Sequence, residues 1–186
     1  MLAATEPQVT HNKAAVLDEV FRAHYSRVLK AAYRVTGSMS DAEDVLQTVF
    51  LRLARRDLAT EGVVNLESYM YRAAVNAALD LLRARQEART VALDDAQASV
   101  EAVATGSWAD PGRMQDSVEV RAWLRAALAR LSPRAAEMFA LRYLEDYGNR
   151  EIARMLNTSQ AVVAVTLHRT RHQLQKDFRA FMRGKR

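Results

Sequence analysis

The sequence predicts an all-α protein: two small helical domains, one a bundle and one carrying a helix-turn-helix, joined by a flexible acidic linker. Three observations lead there. Apolar residues recur at spacings of three and four over most of the chain, and strand-like alternation is nowhere convincing. Glycine (6) and proline (3) are scarce among 186 residues, against the turn-rich composition of β architectures. The helical period also fails between residues 89 and 117, a stretch of small and acidic residues broken by Gly106, Pro111 and Gly112.

The elements follow in order. Residues 14–35 place Val16, Leu17, Val20, Phe21, Tyr25, Val28, Leu29 and Ala32 on one face, and Thr36-Gly37-Ser38-Met39 breaks that helix. Ser40 opens a second helix to about Arg56, with Ser40-x-x-Glu43 as a capping box and Val45, Leu46, Val49, Phe50 and Leu53 on its apolar side. A polar loop, Arg56 to Asn65, precedes a third helix from Leu66 to Arg85. After the linker, 118–131 is helical, Ser132-Pro133 is a cap followed by proline at the first helical position, and that helix runs to about Glu145. A short helix to Leu156, a turn at Asn157-Thr158-Ser159 and a long helix from Gln160 complete the chain. The domain reading is a tail (1–13), a first domain (14–88), the linker (89–117) and a second domain (118–186).

Charge and composition narrow the function. The net charge is +5. Residues 14–88 are neutral, 89–117 carry −3, and 118–186 hold fourteen bases against six acids, so the excess belongs to the last third. Concentrated there, it points to a polyanion such as nucleic acid, the alternative being a solvated helical surface. With no cysteine, a disulfide scaffold, a cysteine zinc site and a thiol nucleophile are excluded, in keeping with a reducing cytoplasm. No apolar run long enough for a membrane span and no secretory signal are recognisable, so no membrane insertion is expected. No phosphate loop, metal cluster or nucleophile–base set suggests an enzyme or a cofactor.

The strongest local signal lies in residues 149–172. Ile152, Ala153 and Leu156, then the three-residue turn, then Val163 and Leu167 have the spacing of a helix-turn-helix. Ala153 is small where the helices must approach, Asn157 suits a left-handed turn position, and the Ser159 hydroxyl can cap the second helix. Residues just after that cap would face a DNA major groove. An ordinary helical hairpin is the alternative; the basic run Arg169, Arg171, Lys176, Arg179, Arg183, Lys185 and Arg186 favours DNA. The first turns, Gln160 to Thr166, hold no Arg or Lys, so bidentate reading of guanine has no donor there. His168 and His172 are four apart, but no carboxylate or cysteine lies nearby in sequence to complete a metal site, and they are read as groove or phosphate neighbours.

Several runs together resemble a known family. Asp41-Ala-Glu-Asp-Val-Leu-Gln-Thr-Val-Phe50, Tyr69-Met-Tyr-Arg-Ala-Ala-Val-Asn76 with Asp80 and Arg83, Leu131-Ser-Pro-Arg134, Phe139-Ala-Leu-Arg-Tyr143, Glu151-Ile-Ala153 and Leu167-His-Arg-Thr-Arg171 are similar to bacterial RNA polymerase sigma factors. The likeness is to the small extracytoplasmic-function (ECF) type of the sigma-70 family, which keeps only domains two and four. It implies that this is a cytoplasmic sigma factor, not an enzyme, which binds core RNA polymerase (beta and beta-prime subunits), directs it to promoter DNA and promotes melting, and that an anti-sigma factor is a possible partner.

The resemblance assigns residues. Asp41, Glu43, Asp44, Gln47 and Phe50 would bind core polymerase, although first-turn acids also complement a helix dipole and Phe50 could be core. Asn65, Tyr69, Arg72, Asn76, Asp80 and Arg83 would meet the minus-ten element. Aromatic faces, an amide and arginines suit a flipped base and its backbone; the alternative is a solvated Arg72–Asn76–Asp80 ladder. Arg142, Ser159, Gln160, Ala164, Thr166, His168, Arg169 and Arg171 would meet the minus-thirty-five element. There the run Ala161-Val-Val-Ala-Val-Thr166 lacks two basic contacts frequent in the family, which shifts weight to phosphate contacts or DNA shape. The acidic linker would thread the polymerase near its active and RNA-exit channels. The rival functions are a stand-alone helix-turn-helix transcriptional regulator and a helical decoy of polymerase.

Overall fold

Seven helices and their turns occupy residues 7–55, 66–94 and 111–184, the residues that the computed structural model describes, and no strand occurs among them. They are α1 (Pro7–Thr36), α2 (Met39–Arg55), α3 (Leu66–Asp94), α4 (Pro111–Arg130), α5 (Pro133–Tyr143), α6 (Asn149–Met155) and α7 (Gln160–Arg183). Three boundaries differ from expectation. α1 begins at Pro7, inside the predicted tail, and α3 and α4 extend into both ends of the predicted linker. These extensions lack a regular apolar stripe, and in Arg85-Gln-Glu-Ala-Arg89 the good helix formers carry the backbone on. The middle of the linker (95–110) and the loop 56–65, with Asn65, lie outside the described residues.

α1, α2 and α3 form the first bundle. Val28, Ala31, Ala32 and Val35 of α1 are buried against Ala42, Val45, Leu46, Val49, Phe50 and Leu53 of α2 and a long apolar set on α3. Phe21 closes its end, edge-on to Phe50 with ring centroids 4.6 Å apart. Gly37 joins α1 to α2 at φ +68°, where a Cβ would be strained and would collide with the Arg125 guanidinium. The predicted Ser40 capping box gives way to Ser38, whose hydroxyl accepts from the Asp41 N–H at 3.4 Å. The physical reason is tertiary. Starting the helix at Met39 turns Asp41 inward, where both its oxygens accept from the Arg85 guanidinium of α3.

α5, α6 and α7 form the second module around Met138, Leu141, Ile152, Val163 and Leu167. Pro133 is the first residue of α5 as predicted, and Ser132 stands at the cap without a side-chain cap bond. Asn157 adopts φ 48°, and the Ser159 hydroxyl accepts from the Val162 N–H at 3.2 Å, both as the helix-turn-helix reading required. α4 lies along α3 and reaches α7 through Trp123, edge-on to Phe178 with centroids 4.9 Å apart.

The two modules also meet along a seam between α3 and α5. Arg34 of α1 donates to Glu145 at 3.0 Å, and Tyr71 of α3 packs edge-on to Tyr147 at 6.2 Å. Burial pushes the Glu145 carboxyl above its ordinary range despite Arg34, and burial with Tyr71 nearby raises the Tyr147 phenol to about 12.

Two predictions follow from these pairs. Arg85→Ala strands the buried Asp41 carboxylate; because Arg85 is half exposed, the expected loss is about 1–2 kcal/mol, read from the urea midpoint. Arg34→Met should cost about 1 kcal/mol at neutral pH. A carboxyl whose folded-state pKa is raised gives stability below its ordinary value and withdraws it as pH climbs through the raised one. Without Arg34 that withdrawal is larger, so the gap between variant and parent narrows toward about pH 4 as Glu145 is protonated.

Candidate nucleic-acid interface

The predicted site residues fall on three faces. On α2, Glu43, Asp44 and Gln47 are exposed along one strip, which Leu51, 58% exposed, continues one turn on. An exposed leucine beside acids and an amide is suited to a protein partner. Asp41 and Phe50 do not belong to this strip: Asp41 is 3% exposed and held by Arg85, and Phe50 packs on Phe21. The expectation that both offer side chains to a partner is corrected to structural roles. Leu51 was missed because the apolar period of α2 already has its full set without it.

On α3, Arg72, Asn76, Asp80 and Arg83 share one side, as their spacing required. The Arg72–Asn76–Asp80 ladder of the alternative reading is not what these side chains form. Asp80 instead pairs with Arg83 at 2.9 Å, and both Arg72 Nε and Asn76 Nδ2 donate to Glu137 Oε1 of α5, each at 3.0 Å. Arg72 Nη1 also donates to the Met155 carbonyl at 2.6 Å. Tyr69 is half-buried at the start of the same helix. Glu137 drew no notice in the sequence, because its partners stand 65 and 61 positions away.

On the second module, an open cleft of about 430 Å³ is lined by Arg142, Tyr143, Asn149, Gln160, Ala164, Leu167, His168 and Arg171. Five of the predicted DNA-facing residues, Arg142, Gln160, Ala164, His168 and Arg171, therefore converge from α5 and α7 on one concavity. Arg142 is aimed there by its bond to the Tyr147 carbonyl at 3.1 Å. Ser159 acts as a cap, Arg169 is exposed outside the cleft, and Thr166 is half-buried. Tyr143 and Asn149 join the wall from positions the motif reading did not single out. The leading turns of α7 expose Val162 and Val165, each 49% exposed, so this helix presents methyl groups and one amide where cations are common. Methyl groups and an amide are the chemistry that suits thymine methyls and adenine edges, and cations the chemistry that suits phosphate. Among the described residues no group of His, Cys, Asp and Glu could hold a metal ion, and none of the helices is long and apolar enough to cross a membrane.

Comparison with known proteins gives the family. Sigma-70 region 2 matches residues 20–88 and a sigma-70 region 4 family matches residues 121–174, together more than half of the chain. The ECF RNA polymerase sigma factor SigE of Mycolicibacterium smegmatis is 31% identical over 158 residues, covering 85% of this chain and 60% of the relative. SigG of Mycobacterium tuberculosis is 34% identical over 176 residues, covering 83% of this chain and 48% of the relative. This chain thus spans about half to three fifths of those relatives. Among solved structures, CnrH in complex with the cytosolic domain of CnrY has a similar fold, with a TM-score of 0.54 at 17% identity and 90% of each chain covered. With both regions matched in order, the α3 face in the first and the helix-turn-helix cleft in the second, the chain belongs to the sigma-70 family, in its ECF group.

Proposed function

We propose that the protein is a promoter-specificity subunit that binds core RNA polymerase, brings it to promoter DNA and helps to open the duplex, with no covalent chemistry of its own. The observation that carries this reading is the presence in one chain of two family-matched modules in order, the second with an open cleft lined by Arg142, Gln160, His168 and Arg171. The α2 strip of Glu43, Asp44, Gln47 and Leu51 docks on the beta-prime and beta subunits. Residues Asn65, Tyr69, Arg72, Asn76, Asp80 and Arg83 serve the minus-ten element, the amide and aromatic groups catching an unstacked base and the arginines its backbone. The cleft around Arg142, Gln160, Ala164, His168 and Arg171, with Thr166 and Arg169 at its margin, serves the minus-thirty-five element.

The likeness in fold to CnrH, solved with the cytosolic domain of CnrY, supports an anti-sigma protein as a further partner. The site of action is the cytoplasm, where polymerase and promoter are. Purified core enzyme should retain the chain in a pull-down and give promoter-dependent run-off transcripts. Retention without transcripts would favour a decoy, and DNA binding indifferent to core enzyme would favour a stand-alone regulator.

Three substitutions test the faces. Asn76→Ala should lower promoter opening by roughly tenfold or more while core affinity stays within about twofold; equal losses would count against base capture. Asp44→Arg should weaken core binding by roughly tenfold, read by fluorescence anisotropy, and an unchanged affinity would leave Asp44 with the helix dipole alone. Arg171→Ala should weaken upstream-DNA binding across sequences and reduce the slope of log affinity against log salt by about one.

A further inference from the structure

We infer that α7 reads upstream DNA through methyl contacts with thymine and an amide contact with adenine, so that the element this chain selects is an unbroken run of A·T pairs under the first two turns of α7. This rests on the reading that the second module binds the minus-thirty-five element, and adds which bases that module takes.

Helix-turn-helix proteins meet base edges with the residues at the start of the second helix. Here Asn157 at φ 48° and the Ser159 cap fix where that helix begins. From Gln160 to Thr166, Val163 is buried in the module core and Thr166 is half-buried. The exposed residues are Gln160, Ala161, Val162, Ala164 and Val165, and all but Gln160 end in methyl groups. A guanine edge offers acceptors and calls for a donor, whereas a thymine edge offers a methyl group. The aliphatic residues meet the second, and the Gln160 amide has the donor and acceptor that pair with adenine. Arg169 and Arg171 stand roughly 14 and 17 Å further along the axis than Gln160. At that distance from the helix tip they serve phosphates at the groove wall.

Packing gives the two exposed valines no task. Val162 and Val165 are each 49% exposed, and β-branched side chains are poorer helix formers than alanine at such positions. Three apart, they form one aliphatic ridge on the leading turns of α7. The same turns carry Gln160 and Ala164 into the cleft that Arg142, His168 and Arg171 share. An aliphatic ridge beside a cationic concavity fits a polyanion with methyl groups in its groove. Duplex DNA rich in A·T pairs is such a polyanion, with phosphates for the cations and thymine methyls for the ridge. Methyl meets methyl by excluding the water between them, so no hydrogen bond is left to satisfy. Cytosine, which lacks the methyl, forfeits that burial. His168, two turns along on the cleft wall, is the first side chain after Gln160 with an N–H to donate, and it bounds the methyl-reading segment.

The test uses the full chain bound to core RNA polymerase, with a promoter library randomised over the upstream element, about ten base pairs or one turn of duplex. Selection should return an unbroken run of A·T pairs; a guanine fixed inside that run overturns the proposal. On the selected promoter, deoxyuridine in place of single thymines removes the methyl alone. At the positions under Val162 and Val165 this should weaken holoenzyme binding roughly threefold, the scale of one buried methyl. Val162→Ala and Val165→Ala, which put a better helix former in place, should abolish that sensitivity and leave the slope of log affinity against log salt unchanged. Uracil bound as well as thymine at every position overturns the methyl contact. An inosine·cytosine pair keeps the minor groove of A·T but presents cytosine where thymine stood; full affinity for it puts the preference in DNA shape and also overturns the proposal. In each of these outcomes upstream DNA is still bound, so the minus-thirty-five reading survives. If selection leaves the whole segment random and the promoter opens as before, the second module does not read upstream DNA, and that reading falls with the proposal.

Discussion

α3 must be covered on more than one side, and the arrangement of the other helices follows from that. Met70, Tyr71, Ala74, Val75, Ala77, Ala78, Leu79 and Leu82 are all buried, an apolar arc too wide for one neighbouring helix. α1 and α2 cover part of it, and α4 and α5 approach from the second half of the chain. At about 25 cal/mol per Å² of apolar surface, covering such an arc favours packing a further helix against it. The small residues among the eight let the neighbouring backbones come near, so the polar side chains at the edge of the arc, Arg72 and Asn76, reach α5 directly.

Apolar burial explains why the modules meet, and electrostatics decides how firmly. Arg34, Arg72 and Asn76 each donate across the seam to a carboxylate of the second module, and Arg72 also donates to the Met155 carbonyl. Arg125 of α4 is a third cation near the junction, held against Gly37; burial and the neighbouring Arg121 lower its pKa. A cation-rich junction relieved by two acids is poised: each carboxylate offsets desolvation on both sides, and another anion can replace it.

Local chemistry was readable and remote chemistry was not. Asn157 and Ser159 could be placed because a left-handed turn residue followed by a hydroxyl cap is a property of consecutive residues, and both occur as read. The seven helices were likewise visible in their apolar periods. Ser38 and Ser40 show the limit. Either can cap a helix, and the choice was made by Arg85, 44 residues from Asp41, which no local pattern reports. Glu43, Asp44, Gln47 and five of the cleft residues came from the family resemblance, Leu51, Tyr143 and Asn149 were missed, and Glu137 and Glu145 looked like ordinary helix-surface acids. Their meaning depends on partners brought close only by the packing of α3, and the two modules expected to hang on a tether instead share a contact.

The central claim is that one chain reads two separate stretches of promoter DNA and does so through polymerase. Hydroxyl-radical footprints and permanganate reactivity on one promoter, with core enzyme alone, this chain alone and the two together, address it most directly. The account predicts two separated protected patches, with reactive thymines at the downstream one, in the combined sample only. A single patch made by the chain alone and unchanged by core enzyme would contradict it.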